Sequence, residues 1–274
     1  RHGRHSLHMA SEVALYKRPK PQIRITDDNP ASAPFKFRTY WVSERRVQVR
    51  NNGSFAARGI RMENGGAKGG LGHTYPMLRC LTGASCSVNN SVLEPKVSGA
   101  VRSTHSNSVF SNNVILKSTS AMWLTGSCKL LHNLVVGGGV GFSVDLGQGE
   151  NHDPMTSSVA AFVLGDDGAS MTIIGNSIAG WTNGGQPAFS SHGFAIPRER
   201  FRGNSAHDVS MGWAIKGSVT QPLQDLTFWG VDSIAIYGYS ASDQPVISNV
   251  RIADSAIGLW WMSMVRTYRE PVPR

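Results

Sequence analysis

Short apolar runs recur along the chain, and few of them hold a helical period long enough to make a helix. Many follow an asparagine in a repeated setting: Asn90-Ser-Val, Asn113-Val-Ile-Leu, Asn133-Leu-Val-Val, Asn176-Ser-Ile, Asn204-Ser-Ala and Asn249-Val-Arg-Ile. The intervals are 23, 20, 43, 28 and 45 residues, so each of the two long ones is read as a doubled coil. Asp225-Leu-Thr-Phe falls inside the last gap and marks the missing beat. A second beat sets Gly before an aromatic or apolar strand, as in Gly141-Phe-Ser-Val, Gly193-Phe-Ala-Ile, Gly212-Trp-Ala-Ile and Gly258-Leu-Trp-Trp.

This pattern predicts an all-β chain folded as a right-handed, single-stranded parallel β-helix, a pectate-lyase-like solenoid. Each coil supplies short strands that pair with the coils on either side. A buried Asn at each turn bonds to the next coil, and Gly marks corners needing positive φ. A β-sandwich also repeats short strands, every 8–12 residues or so, but it has no reason to space Asn by whole coils. Residues 1–34 read differently: Glu12-Val-Ala-Leu-Tyr and Gln22-Ile-Arg-Ile-Thr are strands separated by Pro19 and Pro21, with a Pro-rich break at Asn29–Pro34. They are expected to be the tail of a preceding domain, with the β-helix filling 35–274. The Gly-rich stretches Glu63–Gly72 and Gly180–Ser191 are expected to project as loops.

Composition agrees. Only 16% of the 274 residues are charged, while Gly numbers 30 and Pro 13, which excludes a coiled coil, a helical bundle and a charged disordered tail. No apolar run approaches the ~18 residues of a membrane span, so any membrane attachment would lie outside these residues. The chain opens at Arg1 without a leader pattern and is read as a fragment of something longer.

The net charge of +9 is uneven: residues 1–50 hold 11 Lys/Arg against four acids, a net +7, leaving +2 for the rest. Such a face attracts acidic polysaccharide, and Arg45, Arg46 and Arg50 are the candidate contacts. The usual default for such a charge run is a solvated basic surface. With no helix-turn-helix or zinc-finger spacing, nucleic acid is not the expected partner. Cys80 and Cys86 are close enough to bridge in an oxidising compartment, leaving Cys128 buried. Asn52-Gly-Ser and Asn89-Asn-Ser are glycosylation acceptors that suit a secreted protein.

Candidate chemistry is sparse. Asn151-His152-Asp153, with His132 about a coil away, offers imidazole and carboxylate for acid/base work or a hard cation, or else a solvated turn beside an Asn ladder. No metal signature is present. Asp166-Asp167-Gly168 is a plain turn or a Ca²⁺ ligand pair, and Ca²⁺ is the one cofactor considered. His207 and Asp208, as neighbours in a strand, are expected on opposite faces. Among Trp181, Phe189, Trp213, Trp229, Tyr237, Tyr239, Trp260 and Trp261, most should be core. Trp181, beside Asn183-Gly-Gly, is the candidate for exposure and sugar stacking. No nucleophile elbow or phosphate loop occurs.

The order of these coils resembles a family comprising the cell-migration-inducing hyaluronan-binding proteins, the transmembrane hyaluronidases and the fibrocystins. Ser11-Glu-Val-Ala-Leu and Ile23-Arg-Ile resemble its stretch leaving an eight-glycine domain. Arg58-Gly-Ile-Arg-Met-Glu-Asn-Gly-Gly precedes Gly72-His-Thr-Tyr-Pro-Met-Leu-Arg-Cys80, where the family carries a Tyr-Pro motif rich in histidine. Thr125-Gly-Ser-Cys-Lys-Leu-Leu-His-Asn-Leu-Val-Val136, Asn151-His-Asp-Pro-Met with Ala161-Phe-Val-Leu, and Phe201-Arg-Gly-Asn-Ser-Ala-His207 follow in family order. The resemblance implies an extracellular or cell-surface β-helix with hyaluronan or a similar acidic polysaccharide as partner. It departs where catalysis would reside. Leu78 and Cys80 stand at or beside the motif's histidines, a His–Gly–Thr–His pair is reduced to Thr104-His105, and Ser120–Leu124 lacks the acidic stretch. The expectation is a non-catalytic adhesion or polysaccharide-binding fragment. The alternative is a divergent depolymerase using His105, His132, His152 and Asp153.

Overall fold

The computed structural model describes residues 47–49, 53–63, 67–68, 74–95, 99–104, 107–118, 120–138, 160–165, 170–182, 186–240 and 245–263, with the backbone strands Val13–Ala14, Gln22–Thr26 and Phe35–Arg38. These residues form strands and one short 3-10 turn, Arg198–Arg200. Among the described residues all strand pairings are parallel except one small antiparallel pair, Ala67–Lys68 with Thr74–Tyr75. The chain is a parallel β-helix, as the spacing predicts.

Each coil crosses three faces. The first is a seven-stranded sheet running from Gln22–Thr26 through Ser54–Arg58, Ser85–Asn89, Val109–Ser111, Lys129–Leu131 and Thr172–Ile174 to Phe201–Arg202. The second begins at Phe35–Arg38 and continues through Ile60–Glu63, Val92–Glu94, Val114–Ser118, Leu134–Gly138 and Ser177–Ala179 to Asn204–Val209. The third runs from Val13–Ala14 and Val47–Val49 through Leu78–Cys80, Val101–Ser103, Met122–Leu124 and Phe162–Leu164 to Pro187–Phe194 and Met211–Val219. The last two strands, Leu223–Ser240 and Ile247–Ser263, sweep through both the second and third faces.

The core is made by register. Because residues pair one-to-one between coils, inward side chains form columns. Val88, Phe110, Leu130, Ile173 and Phe201 stack on the first face. Leu93, Ile115, Val135, Ile178, Ala206 and Phe228 stack on the second. Leu78, Val101, Met122, Phe162, Phe189, Trp213 and Ile236 stack on the third. All are buried in one continuous cluster. Cys80 and Cys86 form a disulfide across the turn from the third face to the next first-face strand, and Cys128 is buried and outside the disulfide, as the spacing suggested.

The corners explain the asparagines. Between first and second faces each coil places one residue in the left-handed region: Gly59, Asn90, Asn112, His132, Gly175, Gly203, Asp225 and Asn249. Gly, Asn and Asp tolerate this conformation, and His is next best. The following residue turns inward, and there Asn113, Asn133, Asn176 and Asn204 form a buried ladder. Asn113 Nδ2 donates to Asn133 Oδ1 at 2.9 Å, Asn133 Nδ2 to Asn176 Oδ1 at 3.0 Å, and Asn176 Nδ2 to Asn204 Oδ1 at 3.1 Å. Ser91 begins the ladder, its backbone N–H donating to Asn113 Oδ1.

Four expectations change here. Asn90 and Asn249 lie one residue before the ladder, in the left-handed position, so their sequence beat mixes two roles. The 43-residue gap is one coil rather than two, since Leu134–Val136 pairs directly with Ser177–Ala179; the 45-residue gap does hold two coils, with Asp225 between. The strands before the Pro-rich break are not separate from the solenoid. Val13–Ala14 pairs with Val47–Gln48 and Gln22–Thr26 with Ser54–Arg58, inside the same sheets. Part of the Gly180–Ser191 stretch is also strand, because Pro187–Phe194 belongs to the third face.

Candidate functional site: a cationic corner groove

The left-handed column at the first corner has a gap in its side chains. Gly175 and Gly203 follow one another between His132 and Asp225, and their missing side chains leave a groove of about 630 Å³. Ile174 and Arg202 border it from the first face, Thr227 and Arg251 from the second, and Asn249 closes its far end. The His132 imidazole leans over Gly175, where an added Cβ would come within 2.3 Å of Nδ1. Asp225 is already engaged: Arg198 Nε lies 3.6 Å from its Oδ2, and Asn249 Nδ2 donates to its Oδ1. Arg202 and Arg251 are exposed and have no carboxylate partner among the described residues. The groove therefore presents two arginines and an imidazole around a carboxylate that is already partly neutralised.

A second depression of about 450 Å³ lies at the other edge of the first face, bordered by Lys129, Thr172, Arg200, Ser127, Ser170 and Asn107. Lys129, Arg200 and Arg202 thus line one path across the first face into the corner groove. On the second face, two residues beyond Thr227, the Trp229 ring is 38% exposed and stacks on the ring of His207, with centroids 4.3 Å apart and 8° between planes. His207 Nδ1 also bonds Asp208 Oδ2 at 2.8 Å. The expected opposition of these two neighbours fails because Asp208 is left-handed (φ 50°) and turns its side chain back.

Of the residues singled out from the sequence, His132 is in the groove. His105, His152, Asp153, Arg45, Arg46 and Arg50 lie outside the described residues, as do Asp166 and Asp167. Trp181 contradicts its expectation: it is fully buried. It follows left-handed Gly180 at the second corner and lays its ring on Gly138 of the neighbouring coil, where a Cβ would come within 2.0 Å of the ring. Glycine there makes the pocket that a flanking Asn-Gly-Gly hid from sequence reading. Phe189 and Trp213 are core, while Trp229 and Trp260 are the exposed tryptophans among the described residues. Arg202, Arg251 and Lys129 are not legible as a site in the sequence because each sits in a different coil, and Asp225 reads there only as a corner beat; Arg-Gly-Asn at 202–204 is the one local hint. Among the described residues no His, Cys, Asp and Glu are gathered in the manner of a metal site.

His132 and Asp225 stand three coils apart in the corner column, roughly 14 Å at ~4.8 Å per strand spacing. The lean of the imidazole over Gly175 shortens this by about one step. That leaves roughly 10 Å, at the upper edge of the ~6.5–9.5 Å that separates the two carboxyl groups of inverting glycosidases. No protein-family model matches the chain, and no curated protein matches it.

Proposed function

We propose that this β-helix is a non-catalytic binding module for acidic polysaccharide, such as hyaluronan, in an extracellular or cell-surface protein of the fibrocystin and hyaluronan-binding kind. The observation that carries this reading is the corner groove, where Arg202, Arg251 and His132 surround a glycine floor wide enough for a sugar unit. Guanidinium forks suit carboxylates and sulfates, and the exposed Trp229 nearby supplies an apolar face for a pyranose. The Cys80–Cys86 disulfide supports an oxidising compartment. The seven-charge excess of residues 1–50 adds long-range attraction.

The test is retention on immobilised hyaluronate and heparin across a salt gradient. Each charge-assisted hydrogen bond is worth about 1.5–3 kcal/mol, so the double variant Arg202→Gln/Arg251→Gln should bind at least tenfold more weakly. Retention should fall as the Debye length shrinks from ~10 Å at 0.1 M to ~3 Å at 1 M. Neutralising Arg45, Arg46 and Arg50 together should lower retention less. Undiminished binding by the groove variant would overturn the assignment of the groove.

The floor gives a separate expectation. Gly175→Asn suits the left-handed backbone, as Asn112 and Asn249 do in the same column, but it displaces His132 and fills the groove. Stability should change by less than about 1 kcal/mol, while glycan retention drops severalfold. Equal retention at unchanged melting temperature would show that the groove is not used.

A depolymerase is the second reading, favoured by an imidazole and a carboxylate bordering one groove. The ion pair with Arg198 and the hydrogen bond from Asn249, which already engage the Asp225 carboxylate, argue against it. Long hyaluronan incubated with the protein, with and without Ca²⁺, should keep its elution volume on size exclusion. Shortening that His132→Ala abolishes would establish catalysis instead.

A further inference from the structure

One coil carries only small residues on its outward side where it crosses the second face. Gly175, Ser177, Ala179 and Gly180 hold the outward and corner positions, while Asn176 and Ile178 turn inward and are buried. The coils on either side carry larger groups in the same register. On one side Leu134 pairs with Ser177 and Val136 with Ala179. On the other, Ser205 and His207 take the same two places. The corner groove, floored by Gly175, therefore continues as a shallow trough one coil wide across the second face. From Gly175 to Gly180 it is about 16 Å long at ~3.3 Å per residue.

The two walls differ. Leu134 and Val136 are aliphatic and exposed. The opposite wall is the His207 imidazole, with Trp229 stacked on one face and Asp208 Oδ2 bonded to Nδ1. The ring is thus held upright, and its other face looks over the Ala179 methyl toward Val136. Two strand spacings, ~9.6 Å, separate the Val136 and His207 strands. A ring standing between these side chains needs contacts of about 3.5–4.0 Å on each side, so the trough takes a single file of rings. At the groove end Ser177 Oγ and Ser205 Oγ lie 2.8 Å apart. One hydroxyl donates to the other, which leaves the pair an O–H and lone pairs for a ligand's hydroxyls.

Apolar walls with a hydroxyl pair between them suit pyranose rings, whose faces are apolar and whose edges carry hydroxyls. We propose that this trough binds the sugar rings of the polysaccharide whose acidic group the corner groove takes. The glycan then lies along the strands, across the second face, rather than along the solenoid axis. The inference rests on the glycan-binding reading and adds to it the direction of the chain and the residues that hold its uncharged part.

Hyaluronan disaccharide, hexasaccharide and decasaccharide are the probes, titrated calorimetrically into the protein. Wild-type affinity should rise about tenfold from the disaccharide to the hexasaccharide as the chain leaves the groove and enters the trough. Ala179→Leu fills the floor, and the fold accepts it because Leu116 stands in the same outward column. It should bind the disaccharide as wild type does and lose the gain with length. Val136→Ser, which lowers one wall without adding bulk, should lose part of that gain. The groove variant Arg202→Gln/Arg251→Gln should instead weaken every fragment. Both trough variants are first checked for native circular dichroism. An undiminished gain with length in Ala179→Leu would overturn the trough and leave the groove standing. No binding of any fragment by the wild type would overturn the glycan reading and the trough with it. Self-association of the wild type that Ala179→Leu abolishes would give the trough to a second copy of the chain and overturn the proposal.

Discussion

Replacing Asn133 with leucine should lower stability by about 3–4 kcal/mol and the melting temperature by roughly 8–12 °C. Asn133 sits mid-ladder and is fully enclosed. Its Oδ1 accepts from the Asn113 backbone N–H at 3.2 Å and from Asn113 Nδ2 at 2.9 Å. Its Nδ2 donates to the Phe110 carbonyl at 2.9 Å and to Asn176 Oδ1 at 3.0 Å. Leucine has nearly the same volume, so the cost is not a cavity; it is the set of buried polar groups left on both neighbouring coils. Each orphaned group costs about 1–3 kcal/mol, reduced where Asn113 and Asn176 find other partners. A chain of this length loses about 2–4 °C per kcal/mol. Asn90→Ala provides the contrast. Asn90 precedes the ladder, is exposed and holds only the left-handed corner, so its loss should cost about 1 kcal/mol. Thermal melts of both variants decide it. Equal losses would mean the ladder position carries no special weight.

Trp181→Ala should cost about 3–5 kcal/mol while leaving glycan binding intact below the melting transition. The indole is fully buried in the core cluster and lies on Gly138, so truncation opens a cavity of the kind that costs this much at large aromatics. The complementary change, Gly138→Ala, drives a methyl into the ring from the coil below and should cost about 1–3 kcal/mol by overpacking. The indole N–H finds no acceptor among the described residues, which subtracts from the gain of burial and places the site at the lower end of the range. Melting curves give the stability change, and hyaluronate retention at 20–25 °C, well below the transition, tests the function. Lost retention with an intact fold would return Trp181 to the ligand-binding set.

What the sequence determined by itself is the repeat and therefore the fold class. The Asn and Gly beats are legible because two local demands repeat in every coil: a left-handed corner, which few residue types tolerate, and an inward turn whose amide must bond to its neighbours. The same locality limits the reading. Asn90, Asn113 and Asn249 look alike in sequence, yet one residue of phase separates a solvent-facing corner from a buried ladder, and only the pairing register decides it. A long coil and two short ones are also indistinguishable by count, as the 43-residue gap shows. The disulfide was legible because six residues of separation suffice to form it.

The groove was decided by tertiary structure alone. His132, Gly175, Gly203, Asp225, Asn249 and Arg251 become neighbours because each coil advances the chain by one strand spacing, so residues far apart in sequence stand side by side. Trp181 is the converse case. Its own surroundings look like an exposed turn, and it is buried because the coil beneath carries a glycine at the one place where its ring must lie.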